Sequence, residues 1–171
     1  MMDSARLHIT RGLVHCGLLE RYIQQEVRSA QEFPVGWAAY LYPVSGSLQR
    51  DGSRARIEGG QTTRILYQGR GQMQLELFAP DQAELLRLLG GLLTWLFDHP
   101  HIDTGNSGLH MRAPEDGITF SFQIDDGESV LQMRNGVRVN IPVEIALSRD
   151  NAWVPVSVEL HEEVVGGNPD E

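Results

Sequence analysis

The sequence predicts an α+β domain: a small, mainly antiparallel sheet packed by two helices, with a long basic loop or extended hairpin arm. Three observations carry this reading. In Val137–Leu147 the apolar residues fall at 137, 139, 141, 143, 145 and 147, the period-two pattern of a strand with one dry face and one wet face. Asn135-Gly136 stands between that run and another strand-like run, residues 129–134. Asn-Gly supplies the positive φ values of a tight type I′ turn, so a hairpin is expected there. A strongly apolar segment, Leu85–Phe97, follows Asp81-Gln82-Ala83-Glu84, which has the spacing of a helix start.

From the N-terminus, Asp3 or Ser4 is placed to cap a first helix running to about Arg28. Leu7, Val14, Leu18, Tyr22 and Val27 fall roughly on one face, widened by Leu13, Leu19 and Ile23. Gly12 and Gly17 each cost such a helix about 1 kcal/mol relative to alanine, and suit close packing against a neighbouring element. Phe33-Pro34 is the expected stop, because proline pushes the residue before it out of the helical region.

Trp37–Val44 reads as a first strand, apolar enough to be buried. Residues 45–61 hold four glycines and little apolar content, and are expected to be a mobile arm, either a long loop or the tip of an extended hairpin. Thr62–Tyr67 and Gln72–Phe78 read as two further strands; Met73, Leu75 and Leu77 alternate with Gln72, Gln74 and Glu76. Asp81 should then cap the second helix, with Glu84 reaching back. Nearly every face of this helix is apolar, so burial is expected on more than one side, by the sheet and by the first helix or a second subunit.

Asp98-His99-Pro100 ends that helix, and 99–117 reads as a loop with Gly105, Gly108, Pro114 and Gly117. Ile118–Ile124 alternates as a strand, and Asp125-Asp126-Gly127 turns into residues 129–134. The hairpin follows, then Val154–Leu160 as a last strand. Pro142 and Pro155 cannot donate to a ladder and belong at edges or bulges. Residues 1–165 are expected to form a single domain and 166–171 a disordered tail.

The 171 residues are 41% apolar and 22% charged, which suits one domain with a real core. The net charge of −9 argues against general nucleic-acid binding, which carries a basic footprint. All 14 basic residues are arginine, so neither a Schiff-base lysine nor a P-loop lysine exists. The planar guanidinium does suit carboxylates across protein interfaces. Cys16 is the one cysteine, which excludes an intramolecular disulfide and a multi-cysteine zinc site; it reads as a small buried hydrophobe. The N-terminus shows no apolar signal-peptide core, and Leu85–Phe97 is too short to span a bilayer. These features point to an intracellular protein, or a particle assembled inside a cell, with no membrane partner.

Between residues 50 and 70, Arg50, Arg54, Arg56, Arg64 and Arg70 outnumber Asp51 and Glu58. A basic arm on an acidic protein suits a segment that orders against a partner. Arg50, Arg54, Arg56 and Arg64 are the partner-binding candidates. His99, His101 and His110, with Asp98 and Asp103, are the candidate metal ligands, although no recognised ligand spacing is present. Histidine after a helix C-terminus is also favoured by the helix dipole alone. Asp125-Asp126-Gly127-Glu128 fails the calcium-loop pattern, because the twelfth residue from Asp125 is Gly136. Glu115-Asp116 and Glu162-Glu163 stand in loop and tail settings unsuited to acid–base chemistry. Ser107 lacks the Gly-x-Ser-x-Gly spacing of a nucleophile elbow. Gly69-Arg70-Gly71 precedes a strand, whereas a dinucleotide loop opens a helix. No catalytic, metal or cofactor-binding residue is assigned, and no cofactor is expected.

The run Gln72–Asp81, feeding the Ala83–Phe97 helix and later the Val137–Leu147 strand, resembles tail terminator and neck proteins of tailed bacteriophages over roughly residues 60–160. The resemblance implies a structural virion protein without enzymatic activity. Its subunits would form a ring, usually of six, that caps the tail tube and joins it to the head. The implied partners are other copies of the chain, the tail tube and neck proteins, with DNA passing through the lumen without specific binding. The implied location is the virion, after assembly in the host cell cytoplasm. The acidic overall charge agrees with this, since phosphate binding needs cationic groups. Two other readings stay open: a small-ligand-binding or metal-dependent hydrolytic α+β protein using the 98–117 loop, and another virion part such as a baseplate subunit.

Overall fold

The structure is a computed structural model and describes residues 2–27, 34–50, 55–58, 61–106, 108–114, 116–125, 130–132 and 135–151. The first helix, α1 (Met2–His15), is half the expected length. Gly17 stops it: with φ of 98°, it lets the Gly17 N–H reach the Val14 carbonyl (2.9 Å) and the Leu18 N–H reach the Leu13 carbonyl (3.0 Å). That pair of bonds satisfies the orphan carbonyls of the helix end, and the contact between buried Leu18 and Leu13 seals it. The expected run to Arg28 and stop at Pro34 are therefore overturned. Asp3 and Ser4 lie inside the first turn rather than capping it, and Asp3 pairs with Arg6 at 2.8 Å. A 3₁₀ turn over Glu20–Tyr22 leads into a short strand, β1 (Ile23–Gln24).

The remaining elements are β2 (Ala38–Arg50), β3 (Ala55–Glu58), β4 (Gln61–Phe78), α2 (Gln82–Asp98), β5 (His101–Ile102), β6 (Leu109–Arg112), β7 (Thr119–Ser121), β8 (Gln123–Asp125), β9 (Val130–Gln132) and β10 (Gly136–Asn151). The main sheet runs β1-β2-β4-β10-β6-β5, with β3 beside β4 and β7 beside β10; β8 and β9 pair separately. Every pairing is antiparallel except β1 with β2. The fold is α+β as expected, and the arm takes the form of an extended hairpin.

Thr62–Tyr67 and Gln72–Phe78, read above as two strands, are one strand. Its 18 residues correspond to about 60 Å at ordinary strand rise. Gly69-Arg70-Gly71 lies inside it, because at Gly69 the β2 backbone passes too close for a side chain: a Cβ there would meet the Ser47 carbonyl oxygen. The expected strand 118–124 breaks at Phe122 into β7 and β8, which pair with different strands.

The Asn135-Gly136 hairpin is overturned. Asn135 has φ of 53°, but Gly136 does not share it, and β10 pairs with β4, β6 and β7 while β9 pairs with β8. Sixteen residues of β10 run antiparallel to β4 and bury Val137, Val139, Ile141, Val143 and Ile145. A three-residue strand across a tight turn offers far less apolar burial. Asn135 instead ties the β4–α2 connection, donating from Nδ2 to the Pro80 carbonyl (3.0 Å). Pro142 lies in a central strand, not at an edge, but it falls between the stretches where β7 and β6 pair with β10. Val154–Leu160, Pro155, the domain end at 165 and the tail 166–171 lie outside the described residues.

Both helices cover one face of one end of the sheet. There Ala39, Leu41, Met73, Leu75, Leu77 and the apolar side chains of β10 meet Ala5, Ile9 and Leu13 of α1 and Leu85, Leu88, Leu89, Leu92 and Leu96 of α2. Asp81 caps α2 by accepting from the Glu84 N–H at 2.9 Å. The Glu84 carboxylate does not close the expected box but takes the Arg87 Nε at 2.8 Å. Arg87 also donates to the Cys16 carbonyl at the end of α1 (3.0 Å), tying the two helices together. The helices touch where glycine permits it. A Cβ on Gly12 would stand 2.6 Å from Trp95, and one on Gly91 3.0 Å from the Cys16 sulfur. Cys16 is half-buried, and that burial pushes its thiol up, away from the reactive thiolate.

Candidate assembly interface

The side chains of β2, β4 and β10 define two regions. Over Ala38–Leu41, Met73–Phe78 and Val137–Val143 the strands lie under the helices. Beyond that, every residue of β2 from Pro43 to Arg50 is exposed. The register places Leu48 opposite Gly69, and Arg50 opposite Tyr67, which pairs in turn with Leu147. These residues continue the dry face of the sheet, but neither of the two described helices reaches them. Leu48 is 38% and Tyr67 42% exposed. This is the arm: a ribbon that carries apolar side chains out of the body and leaves them uncovered.

Of the four candidate partner-binding arginines, the structure places three on arm strands. Arg50 ends β2. Arg56 in β3 pairs with Thr63, and Arg64 in β4 stands between Ala55 and Arg149. Arg54 lies outside the described residues.

A second surface lies on α2, where the sequence leaves room for a second subunit without naming the residues. Helix α2 packs against the sheet and against α1, as expected, yet Leu86 (48%) and Phe97 (60%) remain exposed. Phe97 borders a hollow of about 250 Å³ between the C-terminal half of α2 and the β6–β7 segment, lined by Leu93, Leu96, Phe97, Pro114, Ile118 and Phe120. Phe120 is 54% exposed and meets Phe122 edge to face, with ring centres 6.0 Å apart. The readable signal was the excess of apolar residues around α2, more than two neighbours can cover.

The opposite face of the sheet is not uniformly wet. At the body end it holds a second small cluster of Ala38, Tyr40 and Phe78, joined by Tyr42. Beside it Glu76, 2% exposed, accepts from Arg138 Nη2 at 2.7 Å and Nε at 3.2 Å. Both bonds fall on one carboxylate oxygen, Oε1, so the guanidinium holds this buried group from one side. Nearer the arm this face opens into a polar hollow of about 990 Å³. Ser47, Arg70, Glu144, Arg112 and His101 follow one another across it from strand to strand, with His110 in the next row. Arg70 and Glu144 stand 3.6 Å apart.

The histidines after α2 separate. His101 and His110 share the polar hollow, and His110 also reaches the Ser148 hydroxyl at 3.0 Å. His99 turns back onto α2. It stacks on Trp95 (4.8 Å, 17°), and its Nδ1 meets the Trp95 carbonyl at 3.0 Å. The other side of Trp95 meets His8, whose Nε2 donates to the His99 carbonyl at 2.8 Å. Burial holds His8 below its ordinary pKa of 6.5. Among the described residues no three His, Cys, Asp or Glu side chains converge as a metal site. Among the same residues, no helix is long and apolar enough to cross a membrane.

No family model and no curated protein matches this chain in sequence. Among solved structures it is similar to the sheath/tube terminator of an extracellular contractile injection system, PVC, in its extended state. The identity is 10% and the TM-score 0.45, over 89% of this chain. The chain spans 58% of the length of that terminator.

Proposed function

We propose that this chain is a structural terminator subunit: it forms a ring, of about six copies, that caps a tail tube and joins it to the neck of a phage-type particle. The observation that carries this reading is the arm, in which paired strands hold Leu48, Arg50 and Tyr67 outside the cover of either described helix. Apolar side chains left exposed on paired strands gain burial when another molecule covers them. The arm and the α2 hollow are different surfaces, so contacts between copies are heterologous, and such contacts close into rings when the rotation allows.

On this reading Arg50, Arg54, Arg56 and Arg64 contact a neighbouring subunit or the tail tube. The net charge of −9 lets DNA pass the lumen without sticking, and the finished protein resides in the virion after assembly in the host cytoplasm. A hydrolytic role using the 98–117 loop has less behind it, since His99 packs on Trp95 away from His101 and His110.

The test is light-scattering mass and electron-microscope images of the purified full-length protein, beside a variant with all four arginines changed to serine. Closed rings that the variant fails to build into particles support the reading. A strict monomer, or particle assembly indifferent to the four changes, contradicts it.

A further inference from the structure

Two carboxylates stand close in the chain to the residues that line the α2 hollow. Phe97 is followed by Asp98, and Asp116 lies between Pro114 and Ile118; both carboxylates are exposed. Among the described residues neither has a cation within 4.0 Å, whereas Asp3, Glu76, Glu84 and Glu144 each do. An apolar hollow holding two aromatic rings, with exposed carboxylates close in the chain to its lining residues, fits a ligand that is apolar in the middle and cationic at its margin. The arm offers that pattern. Leu48 and Tyr67 stand on one face of the β2–β4 pair, with Arg50 directly opposite Tyr67.

We propose that the arm of one copy seats in the α2 hollow of the next. Leu48 and Tyr67 lie against Phe97 and Phe120, and Arg50 pairs with Asp98 or Asp116. This rests on the ring reading and names its contact. The arm of a copy cannot fill that copy's own hollow. Phe120 pairs with Val139 and Tyr67 with Leu147, so along β10 the two surfaces stand about 26 Å apart on stiffly paired strands. Each copy thus carries one arm and one hollow, the arrangement from which heterologous rings are built. Burying the aromatic rings supplies affinity, and an arginine–carboxylate pair at the rim fixes register.

The experiment uses full-length chains in a Cys16→Ser background, with Tyr67→Cys in one preparation and Phe97→Cys in another. Oxidising the equimolar mixture should give a disulfide-linked dimer that neither variant gives alone. In parallel, Arg50→Asp and Asp98→Arg should each weaken self-association by at least about tenfold, and the double variant should recover most of it. If Phe97→Cys cross-links to itself, the hollows face each other and the proposal is wrong. If rings persist with no cross-link and no effect of charge, this contact is wrong while the ring reading stands. If every preparation is monomeric, both fail.

Discussion

The two ends of β2, β4 and β10 are built on one register yet live in different solvents. At the body end, Leu75, Val139 and Leu41 sit under two helices and are fully buried. At the arm end, Leu48 and Tyr67 occupy the same face of the same strands and stay more than a third exposed. Alternation alone is thus a statement about strand geometry and not about burial. What decides burial is whether a helix passes overhead, and Met2 of α1 lies against Gly71. Past that point neither of the two described helices covers the ribbon, and Leu48 and Tyr67 on its apolar face stay exposed.

The comparison can be broken by making one kind of change in both regions. Leu92→Ala in the body removes a fully buried side chain and should cost about 2–5 kcal/mol, read by denaturant unfolding. Gly69→Ala, where the body becomes the arm, forces a methyl group into the β2 backbone. It should cost about 1–3 kcal/mol by the same assay. Leu48→Ala in the arm should move unfolding by about 0.5 kcal/mol or less and instead weaken self-association. A Leu48→Ala cost matching that of Leu92→Ala would erase the distinction between the regions.

A pH effect sharpens the body's side of the comparison. His8 is buried and neutral, and its folded pKa lies below 6.5. The unfolded chain therefore takes up a proton near pH 6.5 that the folded chain resists. The stability tied to this group is intact above that pH and falls as the pH drops through it toward the folded value. Melting temperature should decline on acidification from 7.5 to 5.5, and His8→Gln should flatten that decline.

The body was legible because its signals repeat. Period-two alternation marked β10 and the second half of β4, and Asp81 marked the start of α2. Gly12 was read as a close-packing site, and it lies against Trp95. The misreadings share a cause: local signals that tertiary contacts outweigh. Gly17 looked like a weak point in a long helix, although a glycine at positive φ is a helix end. Asn135-Gly136 looked like a hairpin, yet the long pairing of β10 with β4 buries more. Gly69 and Gly71 looked like a break between strands, whereas at Gly69 the glycine is what allows β2 to approach. For the candidate interface, the arm's charge was visible in its arginines. The hollow was not, because Phe97, Pro114 and Phe120 come together only once α2 and β7 are placed against the same sheet.

The central claim is that the arm is covered by other molecules and the body by its own helices. Hydrogen exchange measured across a dilution series tests this most directly, comparing residues 44–50 and 64–70 with 73–78 and 137–143. The account requires body protection that is independent of concentration and arm protection that rises as the protein assembles. Arm amides as protected in dilute monomer as those of the body, or unchanged on assembly, would contradict it.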